Sequence, residues 1–435
     1  MCRCRVRVLR SRVGKKTIAE TPIGAVIIQK LYGISSELGE IDTIAHKAES
    51  GGRPIYNSGT SFFEGTASRE RFKSNRLKEL ILNFSTDMSD RKAADRLNRI
   101  RLEEKGIGAT TYRNTVEREG ESIQKQIELK CEGALSDNGF SNDGKPLEET
   151  GFTPNGSAHI EQAAIEHAAI KLNIWEYNAA DYELPTETVN VSIDDVCVKR
   201  QTETRPGDKA TQPKRVDNTV LHVQARNASY ILNAASLVGG IKLLIGLLLF
   251  NKLMKKQIVI FADGARTIHT AVLNMLSFAK CKIILDWYHM EKKCKEQLSM
   301  ALKGSKIRNE FLEGGFLACL WYGNINGAIK RLQDIDPKKI KNFEYIIALT
   351  DYLERVRAYV PNYALRKELG LRNSSNLGEK SNDLIVANRQ KHNGMSWSDA
   401  GSVAFATVAA ASQNNEIKRW TYSQNISLEL RKDAA

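Results

Sequence analysis

Residues 189–289 constrain the fold of this chain more than any other stretch. Strand-like and helix-like runs follow one another there in an order that few sheets accommodate. VNVSIDDVCVK (189–199) alternates and is rich in β-branched residues, the pattern of a strand. A polar loop, QTETRPGDKATQPKR, separates it from NTVLHVQA (218–225), and ASYILNA gives a third strand-like run. Residues 236–254, SLVGGIKLLIGLLLFNKLM, read as a helix buried against a sheet. Their purely apolar stretch is shorter than a membrane span needs, and Lys242, Lys252 and the Gly239–Gly240 pair interrupt it. A short buried strand in QIVIFADGA then ends at Asp263. An amphipathic helix, RTIHTAVLNMLSFA, and a second buried strand in CKIILDWYH, ending at Asp286, complete the series. Three strands able to form an antiparallel meander are thus followed by two that return through helical crossovers.

That is the element order of an RNase H-like mixed α/β sheet, in which the first and fourth strands lie side by side. Asp194, in the first strand, and Asp263, at the end of the fourth, are then expected to be neighbours. Ligand sites of open α/β sheets gather at the carboxyl ends of strands, and VIFAD and IILD each place a carboxylate where a buried strand emerges. Two carboxylates a few Å apart repel by roughly 1 kcal/mol in water and by more when partly buried. A cation between them removes that cost, and hard oxygen ligands favour Mg²⁺ or Mn²⁺. Two such ions roughly 3.5–4 Å apart suit in-line displacement at a phosphodiester, one activating a water or a 3′-hydroxyl and the other stabilising the leaving oxygen. Asp195 follows Asp194 directly and points to the opposite face of a regular strand. Asp194, the first acid after the apolar run, is the favoured member of the two.

From about Tyr288 to Leu369 the chain reads as helical throughout. RNSSNLGEKSNDLIVANRQKHNG and SWSDAGSVAFATVAAA give two further helices. A third acid is expected from a helix packed across the sheet, and Glu379 is the candidate. Ser374, Ser375 or Asn376 can cap its helix, and Asp383, one turn later, is the fallback. Any one of these acids alone is more simply a solvated surface residue; the combination of two strand acids with a helix acid points to a metal. Arg372, Lys380, Arg389 and Lys391 could contact phosphates or could line a solvated helix face. Trp287 and Tyr288 fit core packing, or stacking on a displaced base. Trp397 in GMSWS reads as structural, between two helices.

Ahead of this region the pattern is weaker. Residues 1–80 suggest partial disorder or small helices. Ser89 is a suitable N-cap for a helix through DRKAADRLNRI, with Ala93, Ala94, Leu97 and Ile100 as its inner stripe. After a connection through Gly106 and Gly108, ATTYRNTVERE predicts a second helix. The pair is helix-turn-helix-like, with Arg113, Thr110, Thr111 and Asn114 placed to face a DNA groove; an ordinary helical hairpin is the plainer reading. Residues 136–158, rich in Gly, Ser, Asn and Pro, have the composition of a loop or linker.

The chain has 435 residues, enough for two or three domains, and a formal net charge of +13. Such a surplus favours an acidic polymer as partner (DNA, RNA or an anionic membrane) over a generic basic surface. The opening MCRCRVRVLRSRVGKK holds Arg3, Arg5, Arg7, Arg10, Arg12, Lys15 and Lys16 with no acid and no following apolar segment. It reads as a basic tail that touches phosphates, not as a secretory signal. The seven cysteines are an odd, scattered set without a CxxC, with Cys2 and Cys4 as the only close pair. That pattern argues against structural zinc and fits reduced thiols in a cytoplasm.

VSIDDVCVKRQ, FADGA, ILDWYHMEKKCKEQL, LRKELGLRNSSNLGEKSNDLIVANRQKHNGMSWS and the following GSVA together resemble the ISKra-type insertion-sequence transposases of bacteria, over roughly residues 185–420. The resemblance implies a DDE transposase: an RNase H-like core, an all-α insertion before the final Glu, and Asp194, Asp263 and Glu379 as the catalytic, metal-binding triad for Mg²⁺ or Mn²⁺. DWYH resembles the D-x-x-H signature of the wider Mutator-type superfamily. It implies an auxiliary role for Asp286 and His289, in holding DNA or orienting the site, with Asp195 beside them. The family often has Glu or Gly after the first acid, where this chain has Asp195. Implied partners are double-stranded DNA, as element ends and target, and further copies of the chain, since two ends are joined. The implied setting is the bacterial cytoplasm and nucleoid, without a membrane.

On this reading the chain divides into a basic N-terminal region (1–84), a helix-turn-helix-like DNA-binding region (85–135), a linker (136–185), the first part of the core (186–287), an all-α insertion (288–370), the rest of the core with Glu379 (371–420) and a tail (421–435). The expected chemistry is metal-dependent strand cleavage and transfer. It proceeds without a covalent protein–DNA intermediate, because no nucleophilic Tyr or Ser is implied. A nuclease that cuts without joining, and an inactive or recruited DNA-binding relic of a transposase, are the alternatives.

Overall fold

The computed structural model describes residues 13–21, 24–31, 49–50, 53–54, 72–101, 106–201, 215–391 and 395–432. The chain forms two compact units, one of residues 1–119 with 415–426 and the other of residues 120–414 with 427–435.

In the first unit, where the sequence suggested partial disorder or small helices before residue 80, the described residues up to 73 form strands and a helix starts at Asn75. β1 (Val13–Thr21) and β2 (Gly24–Leu31) pair antiparallel, two short strands, β3 (Glu49–Ser50) and β4 (Arg53–Pro54), pair with each other, and β5 (Phe72–Lys73) runs parallel to β1. The run Val26-Ile27-Ile28 is β-branched, which disfavours helix and suits a sheet. Arg3, Arg5, Arg7, Arg10, Arg12, Cys2 and Cys4 lie outside the described residues. Three helices follow: α1 (Asn75–Ser85), α2 (Asp90–Ile100) and α3, which starts at Ala109. Ser89 caps α2 by accepting from the Lys92 N–H, and Ala93, Ala94 and Leu97 are buried as expected. Ile100 is not; it is 50% exposed in the last turn. The Asn98 side chain makes two hydrogen bonds with the backbone of Ile107, closing the connection to α3. The buried Tyr112 hydroxyl donates to the Ile81 carbonyl, tying α3 to α1. The expected second helix over 109–119 in fact runs 29 residues, to Asp137.

The stretch read as a linker is packed. Phe140, Phe152 and Phe278 meet edge to face with centroids 5.3–5.6 Å apart. A helix absent from the sequence reading, α4 (Gln162–Lys171), buries Ile165, Ala168 and Ala169 with Tyr182, Leu365 and Leu371. The polar composition of 136–158 hid its two packed aromatics, Phe140 and Phe152.

The second unit is built on a mixed sheet. β6 (Thr188–Lys199), β7 (Arg215–Ala225) and β8 (Ala228–Ala234) form the antiparallel meander, while β9 (Gln257–Ala262) runs parallel to β6 and β10 (Cys281–Leu285) parallel to β9. β11 (Arg431–Lys432) closes the far edge on β8, giving six strands in the order β10-β9-β6-β7-β8-β11. β7 starts three residues before the expected position. Residues Leu221 and Thr219 on one face of β7 lie under Gly240 of α5 (Leu237–Phe250). This is the apolar segment 236–254, capped by Ser236. The amphipathic helix expected after Asp263, α6 (Arg266–Met275), links β9 to β10. Among the described residues no helix is long and apolar enough to cross a membrane.

The other face carries everything that matters for the acids. Val259 and Phe261 of β9 belong to one core with α7 (Trp287–Ala301), α8 (Ser305–Phe311), α9 (Leu317–Trp321), α10 (Ile325–Gln333) and α11 (Glu344–Val356), and α12 (Tyr363–Glu368) completes the block. α13 (Asn376–Asn382) continues through a π turn at Asp383–Ala387 to Gln390 and packs on β6 and β7; α14 (Asp399–Gln413) packs on β7 and β8. Asn218 of β7 donates to Ser402 of α14, both buried.

Candidate functional site

Three acids stand in one row across β6, β9 and β10, where β9 and β10 end. The parallel register pairs Ser192 of β6 with Phe261 of β9. Two residues further along both strands, on the same face, stand Asp194 and Asp263. On the other side of β9, Leu285 pairs with Ala262, so Asp286 follows in the same row. Burial, helped by the neighbouring Asp263, pushes Asp194 up to about 6, against the attraction of His289. Asn382 of α13 donates its side-chain amide to Asp194 Oδ2. Asp263 turns back on its own loop, where its Oδ1 accepts from the Ala265 N–H at 2.9 Å.

Asp195 faces away from this cluster, as the strand's alternation requires. It accepts from the hydroxyl of Thr219, its cross-strand partner. Burial raises its pKa, opposed by that hydrogen bond.

Asp286 is buried, with both carboxylate oxygens engaged. Oδ1 caps α7 by accepting from the His289 N–H at 3.0 Å, and Oδ2 accepts from the Ser375 N–H. The second bond corrects an expectation. Ser375 occupies the N-cap position of α13, but no serine or asparagine side chain caps that helix; the Asp286 carboxylate arrives from β10 and takes the position's own N–H. One carboxylate thereby joins the starts of the two helices that carry His289 and Glu379.

Glu379 lies on α13, with an oxygen 3.2 Å from His289 Nε2. Burial raises its pKa, His289 and Lys292 oppose the shift, and Asp286 and Asp383 reinforce it. α13 sits very close to the sheet: a Cβ on Gly378 would lie 2.5 Å from that of Ser192. Only glycine permits this approach, so the glycine of LGEK sets how near Glu379 comes to Asp194. Asp383, the fallback acid, is exposed. The residue on α13 that does reach Asp194 is Asn382, three positions after Glu379 and so on the same helical face. The sequence reading missed it, although the i, i+3 spacing was visible.

Among the described residues no three His, Cys, Asp or Glu side chains converge closely enough to form a ready-made cation site. Asp194 and Asp263 stand on one face of the sheet in adjacent strands, and Glu379 pairs with His289.

The residues expected to meet DNA separate into two groups. Thr110, Thr111 and Asn114 lie exposed on the first turns of α3, and Lys380 is exposed beside Glu379. Arg113, its side chain 48% exposed, is bound at 2.8 Å to the buried Asp90 of α2. Arg389 does not belong with them. It is 2% exposed, with its guanidinium over the rings of Trp397 and Phe405 at 5.1 and 5.2 Å and Nη1 2.9 Å from Met395 Sδ, and no route to a phosphate is left. Trp397 is structural, bonding through its backbone to Lys199 and Gln201 at the end of β6. Trp287 packs against Trp321 and Tyr363, while Tyr288 is 46% exposed.

No protein-family model matches the chain, and no curated protein matches it. Among solved structures it is similar to the Drosophila P element transposase strand transfer complex, at 11% identity over 72% of this chain and 82% of that one, with a TM-score of 0.20.

Proposed function

We propose that this chain is a DDE-type transposase of the ISKra kind, which cuts and joins DNA at the ends of an insertion sequence. The observation that carries the reading is the register of β6 on β9. It sets Asp194 beside Asp263 on the sheet face covered by the helix of Glu379. An antiparallel meander followed by two parallel strands supports an RNase H-like reading of the core. Burial, with Asp263 nearby, holds the Asp194 carboxyl above its ordinary range, and a cation there would favour its charged form.

Asp194 and Asp263 fit a Mg²⁺ or Mn²⁺ ion by donor type, and Glu379 would join them by exchanging His289 for the ion. Such ions, when bound, supply Lewis-acid activation of an attacking oxygen and neutralise charge at a leaving oxygen. The chain's own residues do the positioning. Asn382 holds Asp194, Asp286 holds the starts of α7 and α13, and His289 keeps Glu379 beside the seat. Lys380, Thr111, Asn114 and the solvent side of Arg113 are assigned to DNA, and the +13 charge supplies the long-range attraction. Joining two ends favours at least two copies on the DNA.

A second reading, a DNA-binding relic without catalysis, is favoured by the lack of a three-carboxylate cluster among the described residues. One assay separates the two. Purified protein meets a labelled duplex carrying the sequences that flank its own gene, with Mg²⁺, Mn²⁺ or EDTA. Metal-dependent cutting at one junction and joined products support the transposase. Cutting without joining indicates a nuclease, and binding without cutting indicates the relic.

A further inference from the structure

The turn that carries Asp263 is held from outside its own segment. Arg355, half-buried on α11, donates from Nη1 to the Gly264 carbonyl at 2.8 Å. Its guanidinium lies over the Tyr352 ring, 5.3 Å from the centroid. That ring fills the space beside Gly264: a Cβ there would stand 2.8 Å from Tyr352 Cε2 and 2.9 Å from its hydroxyl oxygen. The residues on either side of Gly264 are fixed as well. His269 Nε2 lies 2.9 Å from the Asp263 carbonyl, and the Ala265 N–H is bound by the Asp263 carboxylate. Burial lowers the His269 pKa and so favours the neutral ring, whose Nε2 must carry the proton to donate to that carbonyl.

The helical block treats the neighbouring acids in the same way. The Tyr363 hydroxyl donates to the Leu285 carbonyl at 2.7 Å, one residue before Asp286. Arg366 donates from Nε and Nη2 to the Arg372 carbonyl, at 3.1 and 3.0 Å, in the stretch of chain leading to Glu379. The segments of Asp263 and Asp286 and the stretch before Glu379 thus each have a carbonyl bound by a donor from α11 or α12.

We infer that Arg355 is a positioning residue for the metal seat, setting the direction of the Asp263 carboxylate through the Gly264 carbonyl; this rests on the metal-dependent reading above. An arginine suits the task because its planar guanidinium stays charged and can bond and stack at once. Groups of this kind, acting through a ligand they do not replace, typically alter metal affinity by about 10–100-fold.

The test uses the full chain as wild type, R355M, R355K and G264A, with R357M as control. Arg357 is bound to Glu354 and Asn326 and makes no described contact with the Asp263 turn. Two quantities are read: amide hydrogen exchange at Ala265 without metal, and the Mn²⁺ concentration that half-saturates cleavage of the flanking-sequence duplex. R355M is expected to speed Ala265 exchange and raise half-saturation about tenfold or more, with DNA affinity unchanged. R355K should recover most of both and R357M should change neither. G264A, which keeps Arg355 but forces the turn off Tyr352, should reproduce the R355M signature even if R355M folds poorly. Unchanged Ala265 exchange and unchanged half-saturation in R355M and G264A would overturn the inference. If the wild type itself neither binds Mn²⁺ nor cuts, the transposase reading fails; Ala265 exchange then still decides whether Arg355 sets the turn.

Discussion

Asp194→Asn should remove activity and yet stabilise the metal-free protein. The Asp194 carboxyl is held up at about 6 against an ordinary 3.8, first by burial and then by Asp263. Between these values the folded state binds a proton that the unfolded state has released. Stability is therefore fully present below about 3.8 and falls as pH rises through about 6. At 1.36 kcal/mol per unit the gap corresponds to at most ~3 kcal/mol, about half of it lost by pH 5. Asp194 keeps partial contact with solvent, so ~1–2 kcal/mol is the realistic size. The second unit has roughly 300 residues. At about 2.1 cal/mol/K per residue its unfolding entropy is ~0.6 kcal/mol/K. In EDTA at pH 8 the variant should therefore melt about 2–3 °C above wild type, and the difference should shrink towards pH 4. The amide oxygen that the substitution leaves at this position can still accept from Asn382, so no buried bond is lost. Mg²⁺ should raise the melting temperature of wild type and not of the variant, since binding to the folded state alone is stabilising. A variant less stable than wild type at pH 8 in EDTA, or a difference independent of pH, would refute the electrostatic account of the seat.

Asp263→Asn should abolish cleavage while leaving the affinity for the flanking duplex within about twofold, by gel shift, because the basic surface is untouched. Arg366→Met should cost about 3–5 kcal/mol in urea unfolding. It strands the buried Glu183, whose pKa is pushed up by burial but brought below its ordinary value overall by the paired guanidinium, and Glu183→Met/Arg366→Met should recover much of the loss. Arg389→Ala should lower the melting temperature, through lost contacts with Trp397 and Phe405, without changing the salt dependence of DNA binding; a reduced salt slope would return Arg389 to the DNA interface. Lys380→Ala should lower that slope by about one ion at most.

The order of elements and the identity of the strand acids were legible in the sequence because both rest on local patterns. Alternation marked β6, continuous apolar runs marked β9 and β10, and a carboxylate at the end of such a run stands out against its neighbours. The caps of α2 and α5 are equally local, each being a serine next to its own helix. What the sequence left open depends on residues far apart in the chain. The cap of α13 comes from Asp286, 89 positions before Ser375. Asn382 meets Asp194 only because α13 crosses β6, and the approach that Gly378 allows is set by Ser192. Arg389 shows the reverse: its charge suggested a surface, but two aromatic rings from later in the chain enclose it. Composition likewise hid the order in 136–158, where Phe140 and Phe152 pack with the distant Phe278 despite a polar sequence. Which acids exist was decided by local sequence; where their carboxylates point was decided by the packing of helices onto one face of the sheet, since burial and direction come from neighbours that no local pattern names.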